Sequence, residues 1–241
     1  MKRPDMILFD YGQTLLNENR FDGLGGTAAV LEYATENKYK RTPEELQALA
    51  NEINTGLGRM DASKRHLFQI EIPYTTFSAY LYESQGIRFS LSYEELETVF
   101  WDAASPGVPT EGIADFLEFL HTQGIRTGVI SNMSYTGKSL ARRITDQIPN
   151  HHFEFILSSC DYVFRKPNPR IFQLALEKAG LMPEQVWYVG DQYECDIVGA
   201  RAAGMTPVWY TAVMDFAQDT NRDVVKINHW NELRSLISEA T

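Results

Sequence analysis

Five polar side chains that lie far apart in the chain stand where an apolar run ends or a helix begins. Asp10, Ser131 and Asp191 each come at the end of a short apolar run. Lys166 lies just before a predicted helix, and Asp196 follows Asp191 by five positions. Carboxylate oxygens are the ligands that hard divalent cations prefer, and a lysine and a serine can bind an anion. The set predicts a site that handles a metal ion and a phosphoryl group.

The charges of this set favour a bound magnesium ion. Three carboxylates that lie close together repel one another and raise one another's pKa unless a cation lies between them. With Mg²⁺ and one lysine the charges balance, so that the pocket could accept an anionic substrate. A carboxylate that attacks phosphorus would form an acyl-phosphate intermediate, while the lysine and the hydroxyl hold the phosphoryl oxygens.

The elements that must position these residues alternate between strand and helix. Apolar runs predict strands at 6–10, 127–131, 153–157, 187–191, 207–210 and 224–227, and periodic segments predict helices at 113–122, 139–148, 169–179, 197–203 and 231–239. Such alternation predicts a parallel sheet with helices on both faces. Ligands bind at the carboxyl ends of strands in such sheets, where the polar residues stand.

Residues 17–106 interrupt this alternation. Two capping boxes, Thr42 to Glu45 and Ser92 to Glu95, each precede a helical pattern, and no strand pattern lies between them. The breaker cluster 105–109 predicts a hinge. We therefore expect a core of residues 1–16 and 107–241, with an all-helical domain of residues 17–106 inserted after the first strand.

Composition narrows the class of protein. The 241 residues carry 22 Lys plus Arg against 32 Asp plus Glu, a formal net charge of −10. An acidic chain is poorly suited to neutralising nucleic-acid phosphates. Its apolar runs are too short for a signal peptide or a spanning helix, and its two cysteines do not suggest a disulfide scaffold. We expect a cytoplasmic protein without a nucleic-acid or membrane partner, as a monomer or homodimer.

In order along the chain, Asp10-Tyr11-Gly12-Gln13-Thr14, Ser131, Lys166 and Gly190-Asp191 with Asp196 resemble the four motifs of the haloacid dehalogenase superfamily. The resemblance covers about residues 5–16 and 107–230. It implies a Rossmann-like α/β core, and the segment between the first two motifs resembles the mobile cap of that family.

The resemblance also implies roles for the acidic residues. Asp10 would be the nucleophile and a Mg²⁺ ligand, and the backbone oxygen of Gly12 would be a second ligand. Asp191 and Asp196 would complete the metal site, directly or through water.

The remaining motif residues would serve the phosphoryl group. Ser131 and Asn132 would bind it, and Lys166 would offset the negative charge of nucleophile and phosphate. Thr14 would brace the first loop.

One position departs from the pattern of the family's phosphatases. They usually carry a second Asp two residues after the nucleophile, which protonates the leaving group and then activates water. Here Gly12 stands there, and the loss of such an acid/base group typically lowers the rate by about 10²–10⁴-fold. Turnover could be slow, the leaving group could need little protonation, or an insertion residue or ordered water could substitute.

The expected function is Mg²⁺-dependent hydrolysis of small phosphorylated metabolites. Gly12 leaves open a weakly active or inactive ligand-binding protein, and Lys64 leaves open a phosphonate carbon–phosphorus hydrolase that uses a Schiff base. The metal cluster disfavours dehalogenation, and the missing acid disfavours a phosphomutase. Arg59, Lys64, Arg65 and His66 form a basic cluster that either is solvated or contacts an anionic substrate.

Overall fold

The computed structural model describes residues 2–18, 20–59, 67–213 and 223–240. The strands are β1 Met6–Phe9, β2 Leu16–Asn17, β3 Ala34–Asn37, β4 Ile87–Phe89, β5 Val108–Pro109, β6 Arg126–Ser131, β7 Ile156–Ser158, β8 Val186–Gly190, β9 Thr206–Tyr210 and β10 Val225–Ile227. The helices are α1 Gly23–Leu31, α2 Pro43–Gly56, α3 Tyr74–Glu83, α4 Tyr93–Ala104, α5 Ile113–Thr122, α6 Gly137–Gln147, α7 Ser159–Tyr162, α8 Pro169–Ala179, α9 Gly199–Ala202 and α10 Trp230–Glu239.

Six strands form one parallel sheet in the order β10-β9-β8-β1-β6-β7. β1 lies between β6 and β8, and Phe9 is opposite Val129 on one side and Val189 on the other. The strand order reverses around β1, so that the ends of these three strands border the crevice in which such sheets bind ligands.

Helices cover both faces of the sheet. Side chains alternate along β1, so that Ile7 and Phe9 join a core with α5, α6 and α10. Met6 and Leu8 join a second core with α8 on the opposite face. The predicted α/β, Rossmann-like class is confirmed.

Most predicted core elements match the structure to within one or two residues. The strand predicted at 153–157 is displaced, because β7 covers only Ile156–Ser158. At the start of the predicted strand, the amide of Phe153 donates to the ring nitrogen Nδ1 of His151 at 2.9 Å instead of to a neighbouring strand. The helix predicted at 197–203 begins earlier, with a π-helical segment at Tyr193–Val198 that continues into α9.

Residues 17–106, called the insertion below, contain α1 to α4. Val30, Leu46, Leu81 and Leu96 belong to a buried cluster separate from the two cores of the sheet. Both predicted capping boxes are present, at the starts of α2 and α4.

The prediction that the insertion is entirely helical is wrong. β3 and β4 form an antiparallel pair inside it. The sequence of β3, Ala-Thr-Glu-Asn, has no apolar alternation, and its partner lies about fifty positions away in the chain. Pairing of this kind depends on tertiary contacts that a local pattern does not record. β2 and β5 form a second pair where the chain enters and leaves the insertion.

Backbone hydrogen bonds join the insertion to the core beside the motif residues. Ile70 and Phe164 form an isolated antiparallel bridge. The amide of Arg165 donates to Gln69 O at 3.0 Å, and the amide of Tyr74 donates to Ser134 O at 2.8 Å. Within the part of the chain that the structure describes, no helix is long and apolar enough to cross a membrane.

Candidate active site

Asp10 follows β1 at the carboxyl edge of the sheet. Its amide donates to Val189 O at 2.8 Å, which extends the pairing with β8 by one residue. Its side chain is buried. The central position of β1 therefore places this carboxylate between the ends of the two neighbouring strands.

Lys166 connects the motif residues through its amino group. Nζ donates to Asp10 Oδ1 at 2.7 Å, to Asp196 Oδ1 at 2.6 Å and to the Tyr188 hydroxyl at 2.7 Å. Burial alone would lower the pKa of Lys166, but the charges of Asp10 and Asp196 raise it above its usual value. The lysine is therefore charged and holds one oxygen of Asp10 in a defined place.

Asn132 positions the segment that carries Lys166. Its Oδ1 accepts from Lys166 N at 2.7 Å, and its Nδ2 donates to Lys166 O at 2.8 Å. Ser131 ends β6 beside it and is buried. One Nδ2 hydrogen of Asn132 remains for the predicted phosphate contact, because an amide nitrogen carries two.

Asp191 and Asp196 lie with Asp10 in one buried cluster. Carboxylate oxygens of the three residues lie within 4.8 Å of one another. The π-helical segment brings Asp196 back toward β8, where its Oδ2 accepts from Gln192 N at 2.9 Å. A Cβ added to Gly190 would lie 2.4 Å from Asp196 Cγ, so glycine is required for this approach.

The cluster fits a divalent cation. Asp191 Oδ1 is buried without a hydrogen-bond partner among the described residues. Three carboxylates opposite one lysine leave an excess negative charge, which a hard cation with oxygen ligands would neutralise. Among the described residues, these three aspartates form the only group with this arrangement.

Burial and charge repulsion raise the pKa of both Asp191 and Asp196. Burial, followed by the charges of Asp10 and Asp196, raises the pKa of Asp191 well above its usual value. Burial also raises the pKa of Asp196 to about 6, although Lys166 opposes the change. Without a cation, the folded protein thus resists full ionisation of its own cluster.

The first loop, 11–15, is held by backbone contacts. The Thr110 hydroxyl donates to Thr14 O at 2.8 Å, and Gln13 adopts a positive φ of 59°. Thr14 is fully buried, and its own hydroxyl has no partner among the described residues. A Cβ at Gly12 would meet no atom within 4 Å, so space for a side chain exists there.

A cavity of about 530 Å³ opens from the motif residues toward the insertion. Asp10, Ser131 and Lys166 line one part of it, and aromatic residues of the insertion such as Phe77 and Phe100 line another. This volume exceeds what a phosphoryl group alone occupies, so the remainder is available to the group that carries the phosphate.

Two residues at the site were not singled out from the sequence. Tyr188, in the middle of the apolar strand β8, reaches Lys166 and donates to Ile130 O at 3.1 Å. Glu18 lines the cavity, and its Oε1 accepts from the Tyr11 hydroxyl at 2.9 Å. Burial raises the pKa of Glu18. The only local signal for Tyr188 was a tyrosine, with its polar hydroxyl, inside an apolar strand. No local signal indicated that Glu18 lies at the site.

Among other reactive side chains, Cys195 lines the same cavity. Burial raises the pKa of the Cys195 thiol to about 12, which disfavours a reactive thiolate beside Asp196. The ring of His152 stacks on His121 at 3.9 Å. Lys64, the lysine considered for a Schiff base, lies outside the described residues together with Arg65 and His66.

Comparison with known proteins identifies the family. The sequence profile of the haloacid dehalogenase-like hydrolases matches residues 4–204, which include all four motifs. The chain belongs to this family of hydrolases. The resemblance seen in the motifs is thereby confirmed.

Two curated relatives match over part of their length. Human haloacid dehalogenase-like hydrolase domain-containing protein 3 is 40% identical over 95 residues, which are 39% of this chain and 37% of that protein. Glyceraldehyde 3-phosphate phosphatase of Methanothermobacter thermautotrophicus is 33% identical over 123 residues, 49% of this chain and 54% of that protein. The matches thus span between a third and somewhat more than half of these relatives.

Solved structures of haloacid dehalogenase-like proteins share the whole fold. A 2-haloacid dehalogenase from Pseudomonas syringae pv. Tomato DC3000 has a TM-score of 0.66 at 20% identity and covers 99% of both chains. A phosphatase of the family from Thermococcus onnurineus has a TM-score of 0.64 at 22% identity and covers 100% of this chain and 99% of that one. A dehalogenase and a phosphatase fit comparably well, so the fold does not distinguish the two reactions.

Proposed function

We propose that the protein is a Mg²⁺-dependent hydrolase of small phosphate monoesters that uses Asp10 as nucleophile. The observation that carries the proposal is the bridge formed by Lys166 between Asp10 and Asp196, beside an Asp191 oxygen that has no described partner. A dehalogenase needs a carboxylate nucleophile but no cluster of three buried carboxylates. The cluster therefore favours phosphoryl transfer over dehalogenation.

In this proposal the residues act in two steps. The free oxygen of Asp10 attacks phosphorus, the bond from phosphorus to the alcohol oxygen breaks, and an aspartyl phosphate forms while the leaving oxygen takes a proton from water. Water then attacks the phosphorus, which releases inorganic phosphate and regenerates Asp10. Lys166 fixes the orientation of the nucleophile and offsets the negative charge, while Ser131 and Asn132 bind the phosphoryl oxygens.

Three aspartates and the backbone oxygen of Gly12 would hold the metal ion. When bound, Mg²⁺ would neutralise the charge on the carboxylates and on the phosphoryl oxygens. Asp10 would be one ligand, with Asp191 and Asp196 binding directly or through water.

The test is Asp10→Asn assayed on a panel of small phosphate esters, with Mg²⁺ and then with a chelator. We expect the substitution to abolish turnover and the chelator to abolish wild-type turnover. Asp146→Asn makes the same chemical change at an exposed ion pair with Arg142 and should leave turnover unchanged. Wild-type turnover by Asp10→Asn would refute the proposal.

Gly12 favours a second candidate, a binding protein of the same fold with little turnover. Position 12 carries no side chain, so no carboxyl there can protonate the leaving group. This candidate predicts Mg²⁺-dependent binding of phosphate esters without their hydrolysis, which calorimetry on the unmodified protein would detect.

A further inference from the structure

A pair of arginines that takes no part in the carboxylate cluster lines the same cavity. Arg59 comes from the insertion, and Arg165 immediately precedes Lys166 in the core. Their guanidinium groups each lie 5.8 Å from the centre of the Phe68 ring. The ring therefore holds two cationic groups close together at the boundary of insertion and core.

One carboxylate faces both arginines. Glu71 is completely buried, and it accepts hydrogen bonds from Arg165 and from the Ser159 hydroxyl. Its Oε1 lies 3.7 Å from Arg59, beyond hydrogen-bonding distance. Two guanidinium groups opposite one carboxylate leave an excess of one positive charge among these described residues.

Each arginine also has a donor that meets no strong acceptor among the described residues. Arg165 Nε is buried with no hydrogen-bond partner among the described residues. Within the same part of the chain, Arg59 donates to Asn54 Oδ1 at 3.4 Å, near the limit for a hydrogen bond. Burial lowers the pKa of Arg59, and the charge of Arg165 lowers it further against the opposing effect of Glu71. An additional anion would satisfy these donors and balance the charge.

We infer that Arg59 and Arg165 bind a second anionic group on the alcohol part of the substrate. The inference rests on the proposed function, since it assigns a ligand group to another part of the same cavity. The phosphate that is removed lies at Asp10, and a carboxylate or a second phosphate lies between the arginines. The preferred substrates are then phosphate monoesters with two anionic groups.

The first experiment compares matched esters of increasing length. Each pair differs in the second anion: 2-phosphoglycolate and 2-hydroxyethyl phosphate, 3-phosphoglycerate and glycerol 3-phosphate, fructose 1,6-bisphosphate and fructose 6-phosphate. We expect kcat/KM to be about tenfold higher for the doubly anionic member of at least one pair, the factor that one charge-assisted hydrogen bond supplies. The pairs separate a carboxylate from a phosphate as the second group. Equal values within all three pairs would overturn the inference.

The second experiment assigns the preference to Arg59. We expect Arg59→Gln to remove most of the preference through a rise in KM, and Arg59→Lys to restore part of it. Arg88→Gln removes an exposed arginine of the insertion and is the matched control, which should keep the preference. A preference that persists in Arg59→Gln would also contradict the inference.

Binding measurements separate this inference from the proposed function. If no ester is hydrolysed, the proposed function fails, and calorimetry with 3-phosphoglycerate and fructose 1,6-bisphosphate tests the subsite directly. Weaker binding to Arg59→Gln than to wild type would support the subsite. Equal binding to the two proteins, or no binding to either, would overturn it.

Discussion

Gly12 occupies the position at which a single side chain would change the chemistry most. A Cβ there meets no atom within 4 Å, so a side chain can begin at this position without displacing a neighbour. The missing carboxyl would be the acid that protonates the leaving alcohol and the base that activates water.

We predict that Gly12→Asp raises kcat for phosphate esters of poorly acidic alcohols, by up to about 100-fold where protonation limits the rate. Esters with good leaving groups should gain less, because they need little protonation. Gly12→Ala adds the Cβ without the carboxyl and should give no gain. A loss of activity in Gly12→Asp with normal activity in Gly12→Ala would show that the site works without that acid.

Asp191 allows a test of the metal site by stability as well as activity. Its raised pKa means that the folded, metal-free protein holds a proton on it more tightly than the unfolded chain does. At neutral pH a carboxyl at this position therefore costs the metal-free protein stability relative to an uncharged amide, whereas a bound cation would favour the ionised form.

We expect Mg²⁺ at 100 times its Kd to stabilise the wild-type protein by about 2.7 kcal/mol. Asp191→Asn should lose most of this gain and yet be more stable than wild type in a chelator at neutral pH. Differential scanning calorimetry with and without Mg²⁺ measures both effects. Asp146→Asn is the control, and a wild-type response to Mg²⁺ in Asp191→Asn would exclude Asp191 as a ligand.

At the scale of elements, α1 and α4 pack through a glycine. A Cβ at Gly26 would lie 2.8 Å from the Phe100 ring and 2.9 Å from Ala104 Cβ. Both distances are shorter than ordinary van der Waals contact, so any side chain at Gly26 must separate the two helices. Phe100 also lines the cavity, which connects this packing to the shape of the site.

We predict that Gly26→Ala lowers the free energy of unfolding by about 1–3 kcal/mol, despite the better helix propensity of alanine. Gly56→Ala is the matched control at the end of α2, where a Cβ meets nothing within 4 Å. It should be neutral or stabilising by up to about 1 kcal/mol. Urea denaturation of both variants measures the difference, and equal effects would show that helix separation costs little.

At the scale of the whole molecule, Glu97 joins the insertion to the core. It lies on α4, and its Oε1 accepts from the amide and the hydroxyl of Thr136 at 2.9 and 2.7 Å. Its Oε2 is buried and has no partner among the described residues. Burial raises the pKa of Glu97 above its usual 4.5, although the donors from Ser139 and Thr136 oppose the change.

The resulting prediction concerns stability as a function of pH. The folded protein binds the proton of Glu97 more tightly than the unfolded chain does. The stability that this proton contributes is therefore lost as pH rises from 4.5 through the raised pKa of Glu97. We expect Glu97→Gln to gain stability relative to wild type between pH 4.5 and pH 8.

Glu95→Gln on the same helix is the control, for which we expect the opposite change in stability with pH. The amide of Ser92 lowers the pKa of Glu95. The stability that ionised Glu95 contributes is therefore present at neutral pH and lost in acid. Denaturant titrations at several pH values measure both variants. Parallel pH profiles for wild type and Glu97→Gln would contradict the assignment.

Local sequence was sufficient to predict most core elements and to group the motif residues. Apolar runs that end in a polar residue identify strands and their carboxyl ends, and parallel strands bring those ends to one edge. Asp10, Lys166 and Asp196 could therefore be grouped from the sequence alone. In the structure Lys166 contacts both aspartates.

Tertiary structure alone decided the features that depend on long-range pairing. The strand pair β3–β4 joins segments far apart in the chain, and Tyr188 contacts Lys166 from a neighbouring element. The position of Arg59 beside Arg165 likewise arises only when the insertion packs on the core. Sequence periodicity records which side of an element is buried, but it does not record which distant element covers that side.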